Sequence, residues 1–194
     1  MSNFITNSGS KNLTTRLSEL IQESDELKFL VGFFYFSGAM ELIDSLQKNP
    51  DSILKILVGL SVDSSIYGIV EYAESSERTN EERKDMYQNS VLKAINNDEF
   101  DKEQFYRQAY YVIEQISAGR IVIRKTLKSN HSKLYLFKLK ESQVIRKNLF
   151  ITGSSNLTKA GLTDQNEFNV EISDYGFTEA EQYFDSLWDS AVHI

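Results

Sequence analysis

The fold is decided by residues 27–60, which read LKFLVGFFYFSGAMELIDSLQKNPDSILKILVGL. The two ends of this stretch, residues 27–36 and residues 53–60, are nearly continuous in apolar side chains, a pattern typical of strands covered on both faces. The apolar residues between them recur at helical spacing until Pro50, which ends the helix. A strand, a helix and a strand joined by short links form a βαβ unit, which predicts parallel pairing with a right-handed crossover.

Further elements follow on both sides of this unit. Apolar residues at helical spacing predict one amphipathic helix over about residues 12–23 and a last helix over about residues 180–191. Strand patterns return at four places, residues 120–125, 131–139, 148–152 and 167–173. The predicted fold class is α/β, with a mixed, mostly parallel β-sheet flanked by helices.

Residues 62–119 are charged and lack a good strand candidate. We interpret them as a helical insertion with short helices near residues 67–72 and 91–95 and a longer one from Phe105 to Ile116, which Gly119 ends. No run of Gly, Ser or Pro separates the insertion from its flanks, so residues 1–194 are expected to form a single domain. The sequence stops directly after the last helix, so this domain is compatible with being the N-terminal domain of a longer protein.

The composition limits the chemistry and the location of the chain. It contains no cysteine, so disulfides, thiolate-bound metals and a thiol nucleophile are excluded. No apolar run approaches the roughly 20 residues that span a bilayer, and the first residues lack the order of a signal peptide. We therefore expect a cytoplasmic protein with no membrane partner.

The distribution of charge is more informative than the net charge. A net charge of −7 argues against nucleic acid as a partner, because phosphate affinity comes from Lys and Arg. Residues 120–148 nevertheless contain nine basic side chains and only one acid, Glu141. Arg120, Arg124 and Lys128 in this segment are candidate contacts to a nucleic-acid backbone, and solvated surface positions are the alternative interpretation.

Three groups of residues in and after this basic segment suggest chemistry. His131 and Lys133 are two apart in a predicted strand, so their side chains share a face. The strand NLFIT runs into Gly153-Ser154-Ser155-Asn156, a turn whose small and amide residues can present donors to an anion. Glu167 begins a later strand and can accept a ring N–H of a histidine, which fixes the tautomer.

In this order, His131-x-Lys133, Gly153-Ser154-x-Asn156 and Glu167 resemble the signature of the phospholipase D superfamily. The segment FLVGFFYFSGAMELI followed by ILKILVGL is similar to the opening of phospholipase D-like domains at the front of bacterial helicases and in some restriction endonucleases. The aspartate that the family usually has five residues after the lysine corresponds to Lys138 here, so its role is not carried over.

The resemblance implies a metal-independent phosphodiesterase that uses no cofactor and no metal ligand. It implies that His131 attacks phosphorus to form a phosphohistidine, while Lys133 and Asn156 stabilise the non-bridging oxygens and Glu167 completes the catalytic set. Ser154, Ser155 and Lys133 are the candidate phosphate-binding residues. The two serines alternatively only shape the turn.

The leaving oxygen also needs a proton, and one imidazole cannot be nucleophile and acid at the same moment. The chain has only two histidines, and the second, His193, is next to last and is interpreted as part of a frayed terminus. We therefore predict a homodimer in which two copies of His131, Lys133 and Asn156 share one site across a twofold axis.

The basic segment and the family subgroup predict nucleic acid, with DNA expected, as the substrate of a nuclease in a restriction or helicase system. A second hypothesis is a catalytically silent module for DNA binding or dimerisation, suggested by Lys138. A third is a lipid phosphodiesterase, for which the sequence offers neither a membrane anchor nor an interfacial helix.

Overall fold

A computed structural model of the chain describes residues 4–9, 11–62, 102–143, 147–173 and 175–194. In this part of the chain, eight strands form one sheet in the spatial order β1-β7-β6-β5-β2-β3-β4-β8. The strands are β1 (Phe4–Ile5), β2 (Ser24–Phe34), β3 (Ile53–Val62), β4 (Ile121–Lys125), β5 (Leu134–Leu139), β6 (Asn148–Gly153), β7 (Asn169–Ile172) and β8 (Val192–His193).

The centre of this sheet is the βαβ unit that the sequence predicts. β2 pairs in parallel with β3, and β3 pairs in parallel with β4, so the parallel pairing is confirmed. β2 begins earlier than the predicted residue 27, because Ser24 and Glu26 already pair with β5. It ends at Phe34, since Tyr35 adopts the extended conformation that precedes a helix.

The prediction of a mostly parallel sheet is wrong, because all the other pairings between these strands are antiparallel. β5 pairs with both β2 and β6, β7 pairs with both β6 and β1, and β8 pairs with β4. The link from β5 to β6 is too short for the crossover of a dozen or more residues that parallel neighbours need. The sheet is therefore mixed and largely antiparallel, and the α/β class with flanking helices is correct.

Helices cover both faces of the sheet. They are α1 (Leu13–Gln22), α2 (Phe36–Met40), α3 (Ile43–Lys48), α4 (Lys102–Ser117) and α5 (Phe177–Ser190), and a π-helical turn (Ala160–Asp164) precedes β7. Successive strand residues point to opposite faces. Phe29 and Val31 of β2 consequently pack in the core with α1, α3 and α4, whereas Leu30 packs with Phe184 and Trp188 of α5.

The predicted helices are found with small changes. In α1, the Asn12 side chain caps the helix by accepting from the backbone N–H of Thr15 at 3.2 Å. The helix predicted after β2 is divided into α2 and α3, because Glu41 and Leu42 form a turn. The longest helix of the predicted insertion is α4, and Gly119 follows it with a φ of +70°. The other two predicted helices lie outside the described residues.

The two edge strands were not predicted. β1 and β8 are two residues long, too short for a period of two to be recognised. His193 therefore belongs to a strand and lies opposite Arg124 of β4, so its interpretation as a frayed terminus is wrong. Among the described residues, no helix has the length and apolar character required to cross a membrane.

Candidate active site

The signature residues lie at one end of the sheet because the chain direction alternates there. Leu134, the first residue of β5, lies opposite Leu30 near the end of β2 and opposite Thr152 near the end of β6. Asn169, the first residue of β7, lies opposite Gly153, the last residue of β6. The segments just beyond these ends, which carry residues 131–133, 153–156 and 167, are thereby brought together.

His131 and Lys133 form a close pair immediately before β5. The ladder with both neighbouring strands begins at Leu134, later than the predicted residue 131. The Lys133 Nζ lies 3.0 Å from Nε2 and 3.1 Å from Nδ1 of His131 and donates to the His131 carbonyl at 2.8 Å. His131 is exposed, whereas Lys133 is 6% exposed. An imidazole open to a ligand therefore rests against a buried ammonium.

Burial and a carboxylate have opposite effects on Lys133. Burial lowers the pKa of its ammonium below the usual value, because the charged form loses hydration. The negative charge of Glu167 raises the same pKa and partly offsets the effect of burial. An ammonium has three N–H donors and no acceptor. A donor that is not bonded to the His131 carbonyl or ring can therefore form a hydrogen bond to an anion.

The turn after β6 has little freedom in its residue types. A Cβ on Gly153 would lie 2.3 Å from the Phe168 carbonyl oxygen and 2.5 Å from Asn169 Oδ1, so only glycine fits. Asn156 Oδ1 accepts from the backbone N–H of Phe33 at 3.0 Å. Because the oxygen of the carboxamide is used in this way, its Nδ2 is the end that can donate to a ligand.

Gly32 in β2 is the position at which His131 and Asn156 meet. A Cβ there would lie 3.1 Å from Asn156 Oδ1 and 3.3 Å from His131 Cδ2. The two side chains therefore flank one backbone position. Gly32 is not among the predicted site residues, although a glycine inside a strand often indicates the close approach of another group.

Glu167 and Ser154 contact each other at the outer side of the site. The Ser154 hydroxyl donates to the Glu167 carboxylate and accepts from the backbone N–H of Phe168 at 3.0 Å. We expected Glu167 to accept from a histidine ring, but the partner that the structure gives it is Ser154. Its link to His131 is therefore indirect, through its electrostatic effect on Lys133.

Ser155 has a structural environment. It is completely buried, its Oγ accepts from Asn169 Nδ2 at 2.9 Å, and its carbonyl accepts from the Tyr135 hydroxyl at 2.9 Å. The predicted role in phosphate binding does not fit this placement, because a phosphate could reach the hydroxyl only by displacing Asn169. The alternative role of Ser155, shaping the turn, fits this environment better.

The three candidate nucleic-acid contacts are dispersed. Arg120 precedes β4 and donates to the Pro50 carbonyl. The five residues of β4 separate Arg120 from the site end of the sheet by about 17 Å. Arg124 lies over the Trp188 ring, 4.6 Å from its centroid, and donates to the Trp188 carbonyl, so it anchors α5. Lys128 is exposed in the loop that leads to His131. Of the three, only Lys128 lies in a segment that continues directly into the site.

Lys138 takes part in an ion-pair network at the other end of β5. Its Nζ lies 3.1 Å from Glu26 Oε2 and 2.6 Å from Glu181 Oε1. The buried Lys28 joins the network through Glu181 at 2.6 Å and Asp185 at 2.8 Å. Five residues of strand separate Lys138 from Lys133, or about 17 Å. The departure from the family pattern is therefore remote from the imidazole, and it connects α5 to the sheet.

In the described ranges, no group of three or more His, Asp or Glu side chains is arranged to hold a metal ion.

Comparison with known proteins gives a family and a fold. Residues 17–188 match the family model described as cardiolipin synthase, phospholipase D-like domain. No curated protein sequence matches the chain. The structure is similar to phosphatidylserine synthase from Haemophilus influenzae Rd KW20, with a TM-score of 0.53 and 14% identity over 98% of this chain and 39% of that chain.

Two smaller proteins are also similar. NucT from Helicobacter pylori has a TM-score of 0.49 and 12% identity, with 94% of this chain and 91% of that chain covered. Nuc from Salmonella typhimurium, a phospholipase D family member, has a TM-score of 0.48 and 14% identity, with 98% of this chain and 95% of that chain covered. At these identities the structural likeness concerns the fold alone.

Proposed function

The chain belongs to the phospholipase D superfamily as a phospholipase D-like domain, and from this membership we propose that it is a metal-independent phosphodiesterase that hydrolyses nucleic acid through a phosphohistidine on His131. Phosphodiesterase chemistry is the usual activity of this superfamily. The observation that carries the proposal is the cluster around Gly32, where the His131 ring lies beside both the Lys133 ammonium and the Asn156 carboxamide.

The cluster fits a two-step displacement. In the first step, a ring nitrogen of His131 attacks phosphorus, a P–N bond forms, and the P–O bond to the leaving alkoxide breaks. In the second step, water attacks the same phosphorus and the P–N bond breaks, which regenerates the imidazole. Lys133 Nζ and Asn156 Nδ2 donate to the non-bridging oxygens, and one such contact can lower the barrier by about 3 kcal/mol.

A second imidazole is needed for the protons of both steps. It would protonate the leaving alkoxide in the first step and take a proton from water in the second. His193 lies on β8, three strands from β2 in the sheet order and hence about 14 Å away. We therefore propose that His131 of a second copy completes the site, which the exposure of the His131 side chain permits.

Lys138 does not argue against catalysis. Its ammonium is used in ion pairs with Glu26 and Glu181, remote from His131 and Lys133. A residue in that position can support the fold without contributing to the chemical step. This placement favours an active enzyme over the catalytically silent module considered from the sequence.

Nucleic acid is proposed as the substrate because of Lys128. This lysine is exposed in the loop between β4 and His131, so its charge can contact the backbone of a polyanion held at the imidazole. A small phosphodiester has no extended phosphate backbone, so this charge should contribute little to its binding. Lys128→Ala should therefore weaken the affinity for DNA and leave hydrolysis of bis(p-nitrophenyl) phosphate unchanged.

The proposal is tested with that chromogenic phosphodiester and with single- and double-stranded DNA, each in excess EDTA. We expect hydrolysis by the wild-type chain and its loss in His131→Ala and Lys133→Ala. Loss of wild-type activity in EDTA, or retained activity in His131→Ala, would contradict the mechanism. Hydrolysis of phosphatidyl lipids in vesicles without cleavage of DNA would show that the substrate is a lipid and not a nucleic acid. Activity of a monomer in sedimentation velocity would exclude the shared site.

A further inference from the structure

The backbone at His131 is held differently from that of the strand that follows it. The β ladder of β5 begins at Leu134, so residues 130–133 receive no support from regular strand pairing. Because a nucleophile must keep its orientation towards phosphorus, other bonds must hold this segment. Several of the bonds on its amino-terminal side involve Asn130.

Asn130 connects the two peptides that flank His131. Its backbone N–H donates to the Gly59 carbonyl at 3.1 Å. Its Oδ1 accepts from the backbone N–H of Ser132 at 2.8 Å, which closes a local turn around His131. Since a backbone N–H can only donate, this bond identifies the oxygen of the carboxamide, and the Nδ2 must point the other way.

The Nδ2 of Asn130 has a partner on α5. It donates to the Tyr183 hydroxyl at 2.9 Å, and the same hydroxyl lies 3.5 Å from Ser132 Oγ. The backbone of Asn130 also packs closely on β3, since a Cβ on Gly59 would lie 1.9 Å from the Asn130 carbonyl oxygen. Asn130 is therefore held by β3 on one side and by Tyr183 on the other.

The Tyr183 hydroxyl is presented by a helix that is itself fixed to the sheet. Glu181 and Asp185 of α5 form ion pairs with the buried Lys28 of β2. Phe184, next to Tyr183, is completely buried. Tyr183 itself is 44% exposed, so its hydroxyl is presented to Asn130 by a residue that is only partly packed against the fold.

We propose that Asn130 and Tyr183 are positioning residues that hold His131 in the orientation required for attack. This inference rests on the proposed function, in which His131 is the nucleophile. The Tyr183 hydroxyl fixes the Asn130 carboxamide, the carboxamide fixes the peptide of Ser132, and the turn so formed orients the imidazole beside Lys133 and Asn156. Neither positioning residue touches the reacting phosphorus, so both act on kcat and leave KM unchanged.

The test is Tyr183→Phe, which removes only the hydroxyl. With bis(p-nitrophenyl) phosphate we expect kcat to fall about three- to tenfold with an unchanged KM, the effect of losing one hydrogen bond that orients a reactive group. Asn130→Ala should lower kcat further, and the double variant should be close to Asn130→Ala, because both changes break the bond between Asn130 and Tyr183 and only the longer contact to Ser132 Oγ is lost in addition. Tyr175→Phe, on a tyrosine that is 76% exposed, is the matched control and should keep full activity.

A second measurement does not depend on activity. The chain has only two histidines, so the ring nitrogens of His131 and His193 can be resolved by NMR and assigned with His193→Gln. Tyr183→Phe should shift or broaden the His131 signals and leave those of His193 unchanged. If the wild-type chain proves inactive, the proposed function fails, and this spectrum still decides whether Asn130 and Tyr183 hold the His131 ring.

Three results would overturn the inference. Unchanged His131 signals in Tyr183→Phe would show that the hydroxyl does not hold the ring. A kcat equal to that of the wild type would show that its bond to Asn130 is irrelevant to turnover. A raised KM with an unchanged kcat would place Tyr183 in contact with substrate instead.

Discussion

Replacing Gly32 by alanine would separate the two groups that the proposed chemistry needs side by side. The added methyl group would lie 3.1 Å from Asn156 Oδ1 and 3.3 Å from His131 Cδ2, closer than ordinary van der Waals contacts. One or both side chains must therefore move by a few tenths of an ångström. Asn156 is held by its bond to the Phe33 N–H, so much of the movement should fall on the exposed His131 ring.

The expected magnitude follows from this displacement. A misplacement of about 1 Å at a reacting group can cost about 100-fold, so a few tenths should lower kcat about three- to tenfold. The effect on folding should be smaller. Crowding costs about 1–3 kcal/mol, while the stiffer unfolded chain returns about 0.4–1 kcal/mol. A domain of ordinary stability, about 5 kcal/mol or more, would remain almost entirely folded after such a loss.

The assay is hydrolysis of bis(p-nitrophenyl) phosphate, with the free energy of unfolding measured by urea denaturation of the same samples. Gly119→Ala is the matched control. It should cost about 1–2 kcal/mol by placing a side chain in the left-handed conformation, at the end of the sheet opposite the site. We expect lower kcat in Gly32→Ala and unchanged kcat in Gly119→Ala. Equal kcat in the two variants would refute the placement of the catalytic pair around Gly32.

Three further predictions concern charge. The alkaline limb of the pH profile of kcat/KM should lie below the usual lysine pKa of 10.5, because burial lowers the pKa of Lys133. Glu167→Gln should move this limb to lower pH, because loss of the carboxylate lowers the pKa of Lys133 further. A limb that does not move would exclude Lys133 as the group that titrates there. Glu26 and Glu181 have pKa values below their usual 4.5, so the stability they contribute is present above about pH 4.5 and is lost as the pH falls through their folded values. Urea denaturation at several pH values should show that the free energy of unfolding falls less steeply with acid in Glu181→Gln than in the wild type. The same fall in both would contradict this prediction. Lys138→Asp, which restores the family residue, should destabilise the fold by about 1–2 kcal/mol, because the new carboxylate would face those of Glu26 and Glu181 in a partly screened network. The kcat per folded molecule should stay at the wild-type value. A large change in kcat would mean that position 138 acts on the site.

Local patterns predicted the fold where burial is uniform. β2, β3 and α1 were recognisable because their apolar residues follow the period of one element without interruption. The antiparallel pairing of β5 and β6 does not follow from the βαβ unit, which indicates only its own parallel pairing. The short link between them favours antiparallel neighbours, because parallel neighbours need a crossover of a dozen or more residues.

Side-chain partners were predictable only where the motif itself fixes them. The spacing of His131 and Lys133 indicated that their side chains would be neighbours. The basic residues are candidates on charge alone, and charge does not tell whether Arg124 faces solvent or an aromatic ring of α5. Asn130 and Tyr183 are 53 residues apart in the sequence, and no local period connects them. Such a contact depends on where α5 docks, which is a property of the whole fold.

The central claim is that the His131 imidazole becomes bonded to phosphorus during turnover. The protein is denatured with alkali during steady-state hydrolysis of bis(p-nitrophenyl) phosphate, because a phosphohistidine is sensitive to acid. The denatured protein is then digested, and its peptides are measured by mass spectrometry. We predict a p-nitrophenyl phosphoryl group on the peptide that contains His131 and no such group in His131→Ala. An adduct on another residue in samples quenched during turnover would contradict the account. Undiminished turnover in His131→Ala would also contradict it.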